Sequence, residues 1–290
     1  MVVKTAVVTG TSTGIGRATA LRLASDGFDV VATMRNPDAA SEGLMRDGAD
    51  LGVAERLRVL ALDVDDDASV EACFAEIDTS NEVDLLVNNA GTSPVGSVEE
   101  FAVGDWKALF ETNVFGVVRC TQAVLPGMRE RGRGHIINIS SIAGRVVMPM
   151  FGPYAASKFA LEAMSEALSL EVRPHGIRVA LVEPGAVRTE IRAKTVPPQR
   201  DSPYRPVAKN WGFSMGWEHE RGTEAMVVAD RIAELAADPN PPLRNPLAQG
   251  CVETIEIRSQ HSDDAWANLW SQPTAEFLSQ WGELRGADFS

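Results

Sequence analysis

Tyr154 and Lys158 stand four residues apart in Tyr-Ala-Ala-Ser-Lys, at the head of a stretch with helical spacing. Residues four apart share one face of a helix, so the phenol and the ammonium can point together into one site. A tyrosine hydroxyl ordinarily titrates near ~10 and is a poor acid–base group at neutral pH. A neighbouring ammonium favours the phenolate and lowers that value, which would let the pair exchange a proton with a substrate oxygen. Alone, a Tyr-x-x-x-Lys pair occurs by chance on many surface helices. Its weight depends on what the rest of the chain places around it.

The first strand-like run ends in Thr9-Gly10-Thr11-Ser12-Thr13-Gly14-Ile15-Gly16, where a helical pattern opens. Glycines at such a turn let the backbone approach a diphosphate, whose charge then sits on the positive end of the helix. The spacing is Gly-x-x-x-Gly-x-Gly rather than Gly-x-Gly-x-x-Gly, and by itself it also fits a tight turn. The second strand-like run ends in Ala32-Thr33-Met34-Arg35-Asn36. An acid there would accept hydrogen bonds from the ribose 2′-hydroxyl of NAD. No acid is present, and Arg35 suits the 2′-phosphate of NADP. NADP(H) is therefore the expected dinucleotide, with NAD(H) second. Further on come Asn88-Asn89-Ala90-Gly91, then Asn113, then Ser140-Ser141.

These residues need elements to position them. Short runs rich in Val, Ile and Leu, nearly uninterrupted by charge, occupy residues 4–9, 29–33, 58–64, 83–87, 135–140 and 177–182. Strands covered on both faces by helices read this way. Helical patterns lie between them at 16–25, 68–77, 105–130 and 155–172, and Gly27 is placed to stop the first. Repeated strand–helix units predict an α/β fold, a doubly wound parallel sheet of Rossmann type in three layers, with ligands at the carboxyl ends of the strands.

A glycine turn, Asn-Asn-Ala-Gly, a serine closing a strand and Tyr-x-x-x-Lys occur in that order, each at a strand end or a helix start. In this combination the chain resembles the short-chain dehydrogenase/reductase family, closely over residues 4–190 and more loosely to about 250. The Ala-Thr-Met-Arg-Asn run and Pro-Pro-Leu-Arg at 241–244 look like its hydroxysteroid and retinol dehydrogenase-like branch. The resemblance implies that Tyr154 exchanges a proton with the carbonyl or alcohol oxygen. Lys158 would depress the tyrosine and hold the nicotinamide ribose. Ser141, rather than Ser140, would hydrogen-bond the substrate oxygen, and Asn113 would support a water relay reaching Lys158. Asp63 and Val64 resemble the adenine-contacting pair. Asn89, Ala90 and Gly91 would border the adenosine, and Pro184, Gly185, Val187 and Thr189 the nicotinamide. Family members usually associate through two long helices, here about 113–131 and 154–174, so a homodimer or homotetramer is expected.

Residues 190–222 carry four prolines with Trp211, Phe213, Met215 and Trp217, and predict a structured lid loop. With Met148 and Phe151, the residues Trp211, Phe213 and Met215 would line a wide apolar pocket for a small hydrophobic carbonyl or alcohol substrate. A helix is expected at 223–237 and a last strand at 243–248, for which the alternating 252–257 competes. From Ser262 an N-capped helix begins, and Trp266, Trp270, Phe277 and Trp281 could pack one face as a cover for the core rather than a dimer arm. The domain division is 1–250 for the dinucleotide-binding and catalytic unit and 251–290 for a helical extension. A net charge of −13 opposes nucleic-acid and anionic membrane partners. Three scattered cysteines and four scattered histidines suggest neither a disulfide framework nor a metal site. No run reaches membrane-span length and no leader is recognised, so a cytoplasmic enzyme is expected. A 3-oxoacyl thioester reductase is the alternative, kept open by Arg188, Arg192 and Lys194; a non-catalytic nicotinamide-binding sensor or scaffold is a third reading.

Overall fold

The computed structural model describes residues 4–78, 82–189 and 201–287. Its strands are β1 (Thr5–Thr9), β2 (Asp29–Met34), β3 (Leu57–Ala61), β4 (Val83–Asn88), β5 (Gly134–Ile139), β6 (Ile177–Pro184), β7 (Val187–Arg188), β8 (Thr223–Glu224) and β9 (Arg244–Leu247). Seven of them form one sheet in the order β3-β2-β1-β4-β5-β6-β9, and every neighbouring pair is parallel. Strand β1 is buried along its whole length, as expected for a strand covered on both faces. Ala6 and Val8 point into one core with helices α1 (Gly14–Ser25), α2 (Pro37–Asp50) and α8 (Ala225–Ala237). Val7 points into the other, with α3 (Asp67–Asp78), α5 (Gly116–Arg131) and α6 (Gly152–Val172). The chain runs outward from β1 to β3 and then returns to β4 beside β1. The connections above these two strands therefore diverge and leave a crevice at their carboxyl ends.

Several expected boundaries differ. The third strand stops at Ala61 because Asp63 begins a turn, with the Asp66 N–H donating to its carbonyl and its own N–H donating to Ser69 Oγ. The long helix expected at 105–130 is α4 (Val103–Phe110) and α5 joined by one π turn, Glu111–Phe115, which contains Asn113. The competing strand at 252–257 is instead helix α9 (Cys251–Ser259). Its buried positions, Cys251, Thr254 and Ile257, recur every three residues, which only a helix brings to one side. Helix α2, opened by Pro37, lay between two expected strands without being foreseen.

The described part of the lid region is not a loop. Helix α7 (Arg205–Glu220) occupies most of it, while 190–200 lie outside the described residues. Helices α10 (Asp263–Ser271) and α11 (Thr274–Arg285) follow, and Ser262 caps α10 by accepting from the Ala265 N–H at 3.2 Å. Trp266, Trp270, Phe277 and Trp281 gather into a third apolar cluster with Val146 and Met148, with Phe151, Trp211 and Met215 packed against it. The tail thus covers the segment leading into α6 and the helix α7, not the faces of the sheet.

Candidate active site

Tyr154 lies in the first turn of α6, which Pro153 helps to open. Lys158 follows one turn later, and its Nζ is 5.8 Å from the centre of the Tyr154 ring. Both side chains are buried. The Lys158 ammonium donates to the carbonyl of Ile139, at the end of β5, at 2.8 Å. Burial pushes Lys158 down to about 8, opposed by Glu162 one turn further along α6. Burial likewise pushes the Tyr154 phenol up, opposed by hydrogen bonds with the hydroxyls of Ser141 and Ser93. The lowering expected from the ammonium together with the positive charge of an oxidised nicotinamide is therefore not a property of the protein by itself. Desolvation dominates, and the ammonium is aimed at a carbonyl rather than at the phenol oxygen.

Ser141 caps a short turn, Ile142–Gly144, by accepting from the Ala143 N–H at 3.1 Å, and its hydroxyl reaches Tyr154. Ser140 beside it is buried too, and its Oγ is 2.9 Å from the place a Cβ on Gly144 would take. Asn113 is almost completely buried. Its Oδ1 accepts from the Thr92 N–H at 2.9 Å, while its Nδ2 donates to the Thr92 carbonyl at 2.9 Å and to Ser157 Oγ at 3.1 Å. Ser157 in turn donates to the Tyr154 carbonyl at 2.7 Å. Asn113 thereby ties the loop after β4 to the turn that carries the tyrosine. Ser93, on that loop, carries no motif of its own. Only the path of the chain past Gly91 brings it to the phenol.

A groove of about 420 Å³ runs along the carboxyl ends of β1, β2 and β4. Gly10, Ser12, Thr13, Gly14, Ile15, Arg35, Asp63, Val64, Asn89, Ala90, Gly91 and Thr189, all expected at the dinucleotide, line it together. Met34, Asp65 and Thr112 line it too and were not foreseen. Gly16 is set back: a Cβ there would sit 2.3 Å from both Asn89 Nδ2 and the Gly10 carbonyl, so its part is to let α1 start against the turn. At Gly10, with φ +71°, a Cβ would come within 2.9 Å of the Ala90 backbone. Thr13 precedes α1 in extended conformation without a side-chain cap bond, and the first turn holds no acid. The helix N–H groups are thus left for an outside anion. These features fit a dinucleotide: a backbone cradle that side chains would fill, and an open helix terminus for its diphosphate.

The groove adjoins a cavity of about 370 Å³ lined by Tyr154, Lys158 and Ser141, together with Pro184, Gly185, Val187 and Thr189. Met148, Phe151, Trp211 and Met215 form its apolar side. Phe213, expected with them, is absent from the lining and 46% exposed. On a helix Trp211 and Met215 share a face, and a residue midway between them projects to the other side. Lining residues from the lid and the helical extension beyond those expected include Ser214, Glu218, Thr254 and Trp281. Among the described residues no group of three or more potential ligands could hold a metal, and no helix is long and apolar enough to cross a membrane.

A doubly wound parallel sheet with a glycine-walled groove at its switch point, opening beside a buried Tyr–Lys pair, defines an α/β oxidoreductase. Comparison with known proteins agrees. The family model described as short chain dehydrogenase matches residues 4–200. The uncharacterized oxidoreductase YusZ of Bacillus subtilis is 38% identical over 272 residues, covering 92% of this chain and 96% of its own. Bovine retinol dehydrogenase 8 is 36% identical over 293 residues, covering 97% of this chain and 92% of its own. Among solved structures, a short-chain dehydrogenase from Streptomyces avermitilis superimposes with a TM-score of 0.80 at 33% identity, over 98% of both chains. A gluconate 5-dehydrogenase from Burkholderia cenocepacia, in complex with NADP and tartrate, gives 0.72 at 28% identity, over 87% of this chain and 95% of its own. The chain belongs to the short chain dehydrogenase family.

Proposed function

We propose that this chain is an NADP(H)-dependent enzyme interconverting a ketone and a secondary alcohol on a bulky hydrophobic substrate of hydroxysteroid, retinoid or polyketide type. The observation that carries the reading is the buried Tyr154–Lys158 pair, with Ser141 at the phenol, where groove and apolar cavity meet. In reduction, Tyr154 donates its phenolic proton to the carbonyl oxygen while Ser141 hydrogen-bonds the same atom; in oxidation the phenolate takes the proton back. A phenol held protonated by burial is in the state that reduction requires. When bound, the dinucleotide supplies or accepts the hydride, and its oxidised form adds a positive charge that favours the phenolate. Lys158 holds the nicotinamide ribose and stabilises the phenolate. Asn113 keeps the loop after β4 and the start of α6 in register, and a water relay to Lys158 would pass beside it.

For the dinucleotide, the turn from Gly10 to Gly16 with Ser12, Thr13, Gly14 and Ile15 would take the diphosphate, and Arg35 the 2′-phosphate. Asp63 and Val64 would border the adenine, Asn89, Ala90 and Gly91 the adenosine, and Pro184, Gly185, Val187 and Thr189 the nicotinamide. NADP in a related crystal structure supports the cofactor, and a retinol dehydrogenase among the relatives supports an apolar substrate. We assign the enzyme to the cytoplasm and to a homodimer or homotetramer; exposed Phe115 and Phe159 on the association helices support the assembly. The domain division at about residue 250 belongs to the same reading. The test is a panel of steroids, retinoids, aromatic ketones, their alcohols and acyl thioesters, followed by nicotinamide absorbance. Turnover of a bulky apolar ketone with NADPH is expected. Turnover confined to acyl thioesters, or silence across the panel despite tight NADPH binding, contradicts the proposal.

A further inference from the structure

Next to Lys158, a buried charged cluster whose Glu162, Glu183, Arg145 and Arg244 do not line the cavity takes no part in the reaction as described. Glu162 lies one turn beyond Lys158 on α6 and Glu183 near the end of β6; both are buried, Glu183 completely. Arg244 on β9 donates from Nε to Glu162 Oε2 at 2.9 Å and from Nη2 to Glu166 at 2.6 Å. Arg145 donates to Glu183 Oε1 at 2.8 Å, and the thiol of Cys251 donates to the Glu183 carbonyl at 3.1 Å. Glu162 Oε1, Glu183 Oε2 and Ser140 Oγ are buried without a hydrogen-bond partner among the described residues. Gly144 makes the close approach possible, since a Cβ there would lie 2.9 Å from both Glu162 Cγ and Ser140 Oγ and 3.3 Å from the Lys158 carbonyl.

Carboxylates buried with only part of their hydrogen-bonding capacity met are costly, and apolar residues of similar volume would fill the space more stably. Their charge therefore calls for a use. Lys158 supplies one. It is buried, and its hydrogen-bond acceptor is the neutral Ile139 carbonyl rather than a carboxylate, so burial lowers the affinity of the amine for its proton with no directly bonded anion to oppose it. Glu162 is the carboxylate whose field reaches it. Arg244 on β9 and Glu183 on β6 lie near Glu162 from the other elements, Glu166 lies one turn further along α6, and Arg145 and Cys251 face Glu183. We propose that Glu162 is a positioning residue that keeps Lys158 in its ammonium form at neutral pH, held in place by Arg244. Its catalytic meaning rests on the Tyr154–Lys158 reading; its measurement does not.

The chain has five lysines, so carbon-13 labelling at lysine Cε gives a resolvable spectrum of the full-length protein, with Lys158 assigned by its loss in Lys158→Met. Burial places the wild-type midpoint at about 8. Glu162→Gln is expected to lower it by about one pH unit, and Glu162→Asp, which keeps the charge, to leave it within about 0.3. If Glu162→Gln does not fold, the neutral pair Glu162→Met with Arg244→Met removes both charges at similar volume and is expected to shift it in the same direction. The high-pH limb of ketone reduction moves to lower pH by the same amount, with little change in KM. An unmoved or raised midpoint in a folded variant overturns the proposal. A midpoint that moves as expected supports it even if Tyr154→Phe retains turnover, a result that would count against the catalytic reading alone.

Discussion

Arg35 sits exposed at the lip of the groove and makes no ion pair among the described residues, although its charge reaches Asp65 and opposes the effect of burial on that acid. A guanidinium left unpaired beside a backbone cradle for a dinucleotide is available for a phosphate. NADPH is therefore expected to bind more tightly than NADH by direct fluorescence titration. Arg35→Asp is expected to weaken NADPH by about 10- to 100-fold, the loss of one or two charge-assisted hydrogen bonds, and to leave NADH no weaker. A wild type that prefers NADH rejects the reading. The residues legible in advance share one property: they belong to motifs whose spacing is fixed by a single turn or a single helix. Gly10, Asn89 and Tyr154 are of this kind. Ser93 and Asp65 follow such motifs by one or two residues, and only the tertiary path of their loops brings them to the site.

Helix α7 was read as a loop because its pattern is inverted. Its fully buried residues, Asn210, Ser214 and Glu218, are polar and four apart, and the apolar residues beside them, Trp211 and Met215, are only half-buried. Asn210 is accounted for by bonds from its Nδ2 to the carbonyls of Trp270 and Gln272, at 3.2 and 2.9 Å. Glu218 pairs with Arg285 of α11, and Arg285 also donates to Thr254 Oγ1 at 2.8 Å. Both partners are nearly inaccessible, with side-chain exposures of 3% for Arg285 and 9% for Glu218. Breaking such a pair leaves an uncompensated buried charge and costs about 3–5 kcal/mol. Arg285→Met should lower Tm by roughly 10 °C on that scale. Because Glu218 and Trp281 line the cavity, KM for an apolar ketone should rise more than kcat falls. Adding Glu218→Met should restore much of the stability. An Arg285→Met protein with unchanged Tm and KM would show that the latch between lid helix and tail does nothing.

At the scale of the molecule, the parallel sheet was legible because its strands are buried on both faces and so read as uninterrupted apolar runs; residues 83–87 and 177–182 correspond to strands at Val83–Asn88 and Ile177–Pro184. The π turn around Asn113 was not, since it changes hydrogen bonding without changing the apolar period. Nor was the destination of the four aromatic residues of the tail, because an apolar helix face states that it is covered but not by what. The whole arrangement converges on Tyr154: β5 supplies the acceptor for Lys158 and the turn after it Ser141, the loop after β4 supplies Ser93, and α7 with the tail closes the apolar side. The measurement that tests this account most directly is Tyr154→Phe, assayed for NADPH affinity and for ketone turnover in the same preparation. The account predicts an NADPH Kd within about threefold of wild type and a kcat lower by about 10²–10⁴, the usual contribution of a positioned acid–base group. Turnover within tenfold of wild type in a variant that still binds NADPH would contradict it.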